Sequence, residues 1–148
     1  MKLWKNTGQR RLALLAALAF LAGVTGCSHG RYPVHGKVTY PDGSPVTEGS
    51  VIGETTEEPK SMAQGSLDKD GSFSWGTEKP GDGAKPGKYR VIVVTRALGE
   101  LEISEGKQPA IDPKFSNPST SGIDFEVKSG KNELPITVTK PEEKKRKA

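Results

Sequence analysis

Apolar and polar residues alternate in several short runs along this chain, and a two-residue period predicts β-strands. In the first run Val34, Val38 and Tyr40, with Gly36, fall on one side, and His35, Lys37 and Thr39 on the other. Pro41-Asp42-Gly43-Ser44-Pro45 then has the chemistry of a turn, with Pro presetting φ. Strands are predicted at 50–54, 62–67 and 72–75, the last two joined as a hairpin by Asp68-Lys69-Asp70-Gly71. The strongest strand is 88–95. Its β-branched run Val91-Ile92-Val93-Val94 predicts a central position covered on both faces or nearly so. Ile123, Phe125 and Val127 alternate with Asp124, Glu126 and Lys128, and Leu134, Ile136 and Val138 with Pro135, Thr137 and Thr139. Pro135 has no backbone donor, which puts this last strand at a sheet edge.

Seven short strands separated by frequent turns predict an all-β, antiparallel β-sandwich. Its expected core is Val38, Tyr40, Val51, Leu67, Phe73, Tyr89, Val91, Val93, Phe125, Val127, Leu134, Ile136 and Val138. Residues 96–122 keep no sustained period, carry Pro109, Pro113 and Pro118, and predict no helix. Leu98, Leu101 and Ile103 are expected to pack part of this connection back on the sheet.

The start of the chain has a different pattern. Lys2, Lys5, Arg10 and Arg11 precede an apolar run at 12–24, which is shorter than the ~20 residues that span a bilayer. A charged start, a short apolar helix and small residues at a cleavage site make a secretory signal peptide. It ends in Val24-Thr25-Gly26-Cys27, and Cys27 is the only cysteine. These four residues resemble the lipobox of bacterial lipoproteins. The resemblance implies cleavage between Gly26 and Cys27, a diacylglyceryl group on the Cys27 sulfur, and acylation of the new amine. Two or three acyl chains on one residue make a durable membrane anchor, at about 0.8 kcal/mol per buried CH₂. By the family's sorting rule, Ser28 after the cysteine favours the outer membrane.

The organisation expected is therefore a signal peptide at 1–26, a lipidated polar tether at 27–33, the sandwich at 34–139 and a disordered charged tail at 140–148. The formal charge of +4 belongs to the signal: without residues 1–26 the basic and acidic residues balance. The basic isoelectric point thus gives no reason to expect a nucleic-acid partner. With no second cysteine there is no disulfide, so packing and sheet hydrogen bonds must hold the fold.

Candidate chemistry is sparse. Asp68-Lys69-Asp70-Gly71-Ser72 partly echoes a calcium loop, but no acid follows where a bidentate ligand belongs, and a hairpin turn is the better reading. His29 and His35 are the only histidines, too few for a zinc site once Cys27 is acylated. No metal or cofactor is expected. Trp75, on the same strand face as Phe73, is expected in the core, toward its rim, where it could also serve as a sugar-stacking platform.

Three further segments carry a family resemblance. Gly36-Lys37-Val38-Thr39-Tyr40 with Asp42-Gly43-Ser44-Pro45-Val46 resembles the first strand and turn of the carboxypeptidase regulatory-like, or transthyretin-like, domain. Leu67-Asp68-Lys69-Asp70-Gly71-Ser72-Phe73 resembles its hairpin, with Leu67 in place of the usual Thr, and Pro86-Gly87-Lys88-Tyr89-Arg90-Val91 a later strand start. The segments 113–122 and 127–132 are similar to those of small planctomycete lipoproteins built on this domain. The resemblance implies a prealbumin-like sandwich serving as a structural or interaction module. The hydroxyisourate hydrolase on the same fold uses paired histidines and a C-terminal Tyr-Arg-Gly-Ser, and this chain has neither. The function expected is a lipid-anchored envelope module, not an enzyme, with an envelope protein or a glycan as partner. The alternative is a carbohydrate-binding surface lipoprotein using Trp75.

Overall fold

The computed structural model describes residues 30–142. Seven strands run in order: β1 (Val34–Thr39), β2 (Ser50–Thr55), β3 (Met62–Ser66), β4 (Ser72–Ser74), β5 (Gly87–Val94), β6 (Ile123–Val127) and β7 (Asn132–Thr137). They form a three-stranded sheet in the order β4-β1-β7 and a four-stranded sheet in the order β3-β2-β5-β6. The fold is an all-β sandwich, as the alternation predicted.

Register explains which residues meet between the sheets. Val51, Val91 and Ile123 lie on one face of the four-stranded sheet, with Gly53 paired to Val91 and Tyr89 to Phe125. Facing them, Gly36 pairs with Phe73 and Leu134, and Val38 with Ile136. Ten of those thirteen core positions are buried, Trp75 is buried as expected, and Val34, Val46, Ala63, Ala84, Ile111 and Phe115 join them. Tyr40, Leu67 and Phe125 are half-buried against the cluster, not inside it.

Four expectations are corrected. The first is the hairpin at 62–75. Its turn forms, with Gly71 N–H donating to the Asp68 carbonyl at 2.8 Å and Asp68 N–H to that of Ser72 at 2.9 Å. Its arms then part: β3 pairs with β2, and β4 with β1 in the other sheet. The turn is a corner between sheets, with one residual bridge between Gln64 and Gly76. The second is strand direction. β1 and β7 run parallel, since the chain crosses to the other sheet and returns before laying down β7.

The third is the central strand. β5 lies between β2 and β6, and its Tyr89, Val91 and Val93 are buried, yet Ile92 and Val94 on the outer face are only half-covered and Arg90 is exposed. The fourth is the long connection, which contains a short helix, α1 (Glu100–Ser104), and a 3-10 turn at Pro113–Ser116. Leu101 and Ile103 do not pack on the sheet; they are 72% and 61% exposed. The connection is fastened instead by the Tyr40 hydroxyl donating to the Ala110 carbonyl at 2.8 Å and by Asp112 N–H donating to the Thr139 carbonyl at 2.8 Å. Ile111 and Phe115 supply its buried apolar contacts.

The edge expected for the last strand is present. Asn132 N–H donates to the Pro33 carbonyl and Val138 N–H to the Thr39 carbonyl, so the even-numbered amides of this strand face β1. Pro135 falls on the outward side, where among the described residues no strand would accept an N–H.

Candidate functional site

Cys27 and the rest of Val24-Thr25-Gly26-Cys27 lie outside the described residues, as do His29 and the tail beyond Glu142. What is described is the point where the segment after Cys27 joins the sandwich. Arg31 is the hub. Its guanidinium sits 2.8 Å from Glu78 Oε1 and 3.3 Å from Asp82 Oδ2, and its side chain is only 12% exposed. The hydrogen bond to Glu78 raises the Arg31 pKa further against the smaller opposing effect of burial.

Asp82 is itself held by its own loop. Its carboxylate accepts from the amides of Thr77 at 2.7 Å, Lys79 at 3.2 Å and Glu78 at 3.3 Å. Burial alone would raise its pKa; the three amides and the Arg31 charge outweigh it and hold the carboxyl below its usual range. The next residue, Tyr32, forms a β-bridge with Ala84, at 2.8 and 3.0 Å. The backbone of Gly83 passes directly against the Tyr32 carbonyl, where a Cβ would collide. Pro33 then accepts from both the backbone amide and the side-chain amide of Asn132, at 3.1 and 3.3 Å.

Residues 31–33, expected as part of the polar tether, are thus bound to the domain. Gly30 lines a cleft of about 410 Å³ with Thr55, Glu58, Pro59, Lys85 and Pro86. The loops 56–61, 76–86 and 128–131 therefore share one end of the sandwich with the root of the tether. Sequence reading could not find this clamp, because Arg31 and Glu78 are far apart in the chain and neither sits in a motif.

The other candidates fall elsewhere. Trp75 is not at the rim. It is 0% exposed, its Nε1 donates to the Val51 carbonyl at 3.2 Å, and its ring packs on Tyr89 and Phe125 with centroids 5.4 and 6.1 Å away. A sugar cannot stack on it, and the glycan-binding alternative built on Trp75 is set aside. His35 is exposed on the outer face of the three-stranded sheet, level with Ser74 on β4 and Glu133 on β7. Asp70 accepts from the Ser72 hydroxyl at 2.6 Å and its amide at 3.1 Å. Those bonds, the hydroxyl first, lower its pKa. Its carboxylate serves the turn, as Asp42 does for Ser44 in the first turn. Among the described residues no three His, Cys, Asp or Glu side chains are grouped to hold a metal ion, and no helix is long and apolar enough to cross a membrane.

No family model matches the chain, and no curated protein matches it. Among solved structures it is similar to a DUF3823 family protein from Bacteroides ovatus ATCC 8483, at 19% identity and a TM-score of 0.43 over 74% of this chain and 45% of that one. A DUF3823 family protein from Parabacteroides merdae ATCC 43184 is similar at 15% identity and a TM-score of 0.43, over 74% of this chain and 46% of that one. A 9R-lipoxygenase from Cyanothece PCC8801 follows at 12% identity and a TM-score of 0.37, over 88% of this chain and 20% of that one. The chain spans less than half the length of each of these proteins.

Proposed function

We propose that this protein is a bacterial lipoprotein of the small planctomycete type, whose carboxypeptidase regulatory-like sandwich is held at the cell envelope by acyl chains on Cys27. Its role is to bind or brace an envelope partner, and it carries out no reaction. The outer membrane is the favoured site, from Ser28 after the cysteine.

The observation that carries the proposal is the joining of a lipobox-like Val24-Thr25-Gly26-Cys27 to a domain that begins, firmly bound, at Arg31. An anchor four residues from a clamped root transmits position to the whole domain. The non-catalytic reading is supported by where the acids are used. Asp42, Asp70, Asp82 and Asp112 each accept hydrogen bonds from their own loops, and Glu102 binds Arg96 and the Gly99 amide. These carboxylates build turns.

Membrane fractionation tests the anchor. The full-length chain expressed in a bacterium should stay with membranes through a high-salt wash and leave them only in detergent. Cys27→Ser should release it to the soluble fraction. Equal retention of both would refute the lipid anchor. For the partner, crosslinking in intact envelopes should return the same protein or polymer in repeated captures with the anchored form.

A further inference from the structure

The end of the sandwich that bears the tether root is positively charged relative to the opposite end. Beyond the Arg31 clamp, this end presents six exposed lysines, Lys60, Lys79, Lys85, Lys88, Lys128 and Lys131. Against them stand Glu57, Glu58 and Glu126, the last already 3.5 Å from Lys128. At the far end Asp42, Glu48, Asp68, Asp70, Glu100 and Glu105 are exposed, and there acids outnumber cations among the described residues. Among the described residues the two ends therefore carry opposite charge along the strand direction.

We propose that the lysine-bearing end docks on anionic phospholipid headgroups, so that the domain stands upright on the membrane in one orientation. The inference rests on the acylation of Cys27. From Cys27 to Gly30 is three residues, and an extended chain covers at most about 3.6 Å per residue. Gly30 is thus held about 11 Å or less from the acylated residue. That is close to the Debye length of about 8 Å at physiological salt, so the lysines act within the range of the surface field. The clamp makes the effect directional. Because Arg31, Tyr32 and Pro33 are bound to the domain, the chain leading to the anchor leaves from the lysine-bearing end.

The experiment uses the lipidated mature protein in vesicles of phosphatidylcholine alone or mixed with phosphatidylglycerol. Cleavage before Cys27 removes Trp4 and leaves Trp75 as the sole tryptophan. Energy transfer from Trp75 to a dansyl headgroup label therefore reports how the domain stands. Transfer should rise when phosphatidylglycerol is present and fall back in high salt. The rise should be lost in Lys79→Glu/Lys85→Glu/Lys131→Glu and kept in Lys69→Glu/Lys107→Glu/Lys114→Glu, which alters the far end by the same charge. All these positions are exposed, and matching thermal melts check that each variant folds. Flotation with the vesicles in high salt reads the anchor separately. Protein that floats but shows equal transfer in the two lipids, or loses the rise in both variants alike, overturns the docking and leaves the anchor standing. Protein that does not float overturns the anchor, and the docking with it.

Discussion

The benzo ring of Trp75 covers the backbone of Gly53. A Cβ added to Gly53 would lie 2.7 Å from Cζ2 of Trp75 and nearer still to Cη2. Gly53 sits between Val51 and Thr55 on the inner face of β2, so the indole fills the volume a side chain would otherwise take. Gly53→Ala should destabilise the domain by about 1–3 kcal/mol through overpacking, read as a fall in Tm of several degrees. Trp75 fluorescence in the wild-type mature chain should be blue-shifted, poorly quenched by acrylamide and unchanged by oligosaccharides. An alanine that leaves Tm unchanged would mean the indole does not lie there.

Asn132 closes the last turn and ties it to the tether root. Its side-chain amide donates to the carbonyls of Lys128 at 2.9 Å, Gly130 at 3.1 Å and Pro33 at 3.3 Å, and its oxygen accepts from Lys128 N–H at 2.8 Å. The residue is buried. Asn132→Ala should cost about 1–3 kcal/mol, because buried backbone groups lose their partners. Urea denaturation should show a lower midpoint with an unchanged slope.

The short helix α1 is fastened by a pH-sensitive contact. Glu102 accepts two hydrogen bonds from Arg96, at 2.8 and 3.0 Å, and one from the Gly99 amide at 3.0 Å. The Arg96 bonds first, then the Gly99 amide, lower its pKa from 4.5 to about 2. A folded-state value below the unfolded one means that protons favour the unfolded chain. The contribution is therefore full above about pH 4.5 and is lost as pH falls toward about 2. Carbon NMR of the Glu102 carboxyl should show the low titration, and Arg96→Ala should return it toward the ordinary carboxylate range. An unchanged midpoint in the variant would contradict the assignment.

Pro135 guards an open edge. It occupies the outward-facing side of β7, where any other residue would present a free N–H. Pro135→Val should leave the sandwich folded but promote edge-to-edge pairing. Light scattering after size exclusion should then show concentration-dependent association that the wild type lacks at the same concentration.

The strands and most of the core are legible in the sequence because burial on one face imposes alternation, as in Leu134, Ile136 and Val138. Sheet membership is not. The 68–71 turn has the same local chemistry whether its arms pair with each other or bend into different sheets. Gly53 is invisible as a core position because its side of the core is filled by Trp75. In α1 the exposed Leu101 and Ile103 misled, since the helix is fixed by Arg96, Gly99 and Glu102. The clamp of Arg31 on Glu78 and Asp82 joins segments with no local signal. The Asx-type turns of Asp42 and Asp70, by contrast, were readable from their neighbours alone.

In the proposed function, acyl chains on Cys27 hold this sandwich at the membrane. Mass spectrometry of the N-terminal peptide from the purified membrane form tests it most directly. The expected peptide begins at Cys27 and is heavier by a diacylglyceryl group and an amide-linked acyl chain. A peptide beginning elsewhere, or one with an unmodified Cys27 thiol, would contradict it.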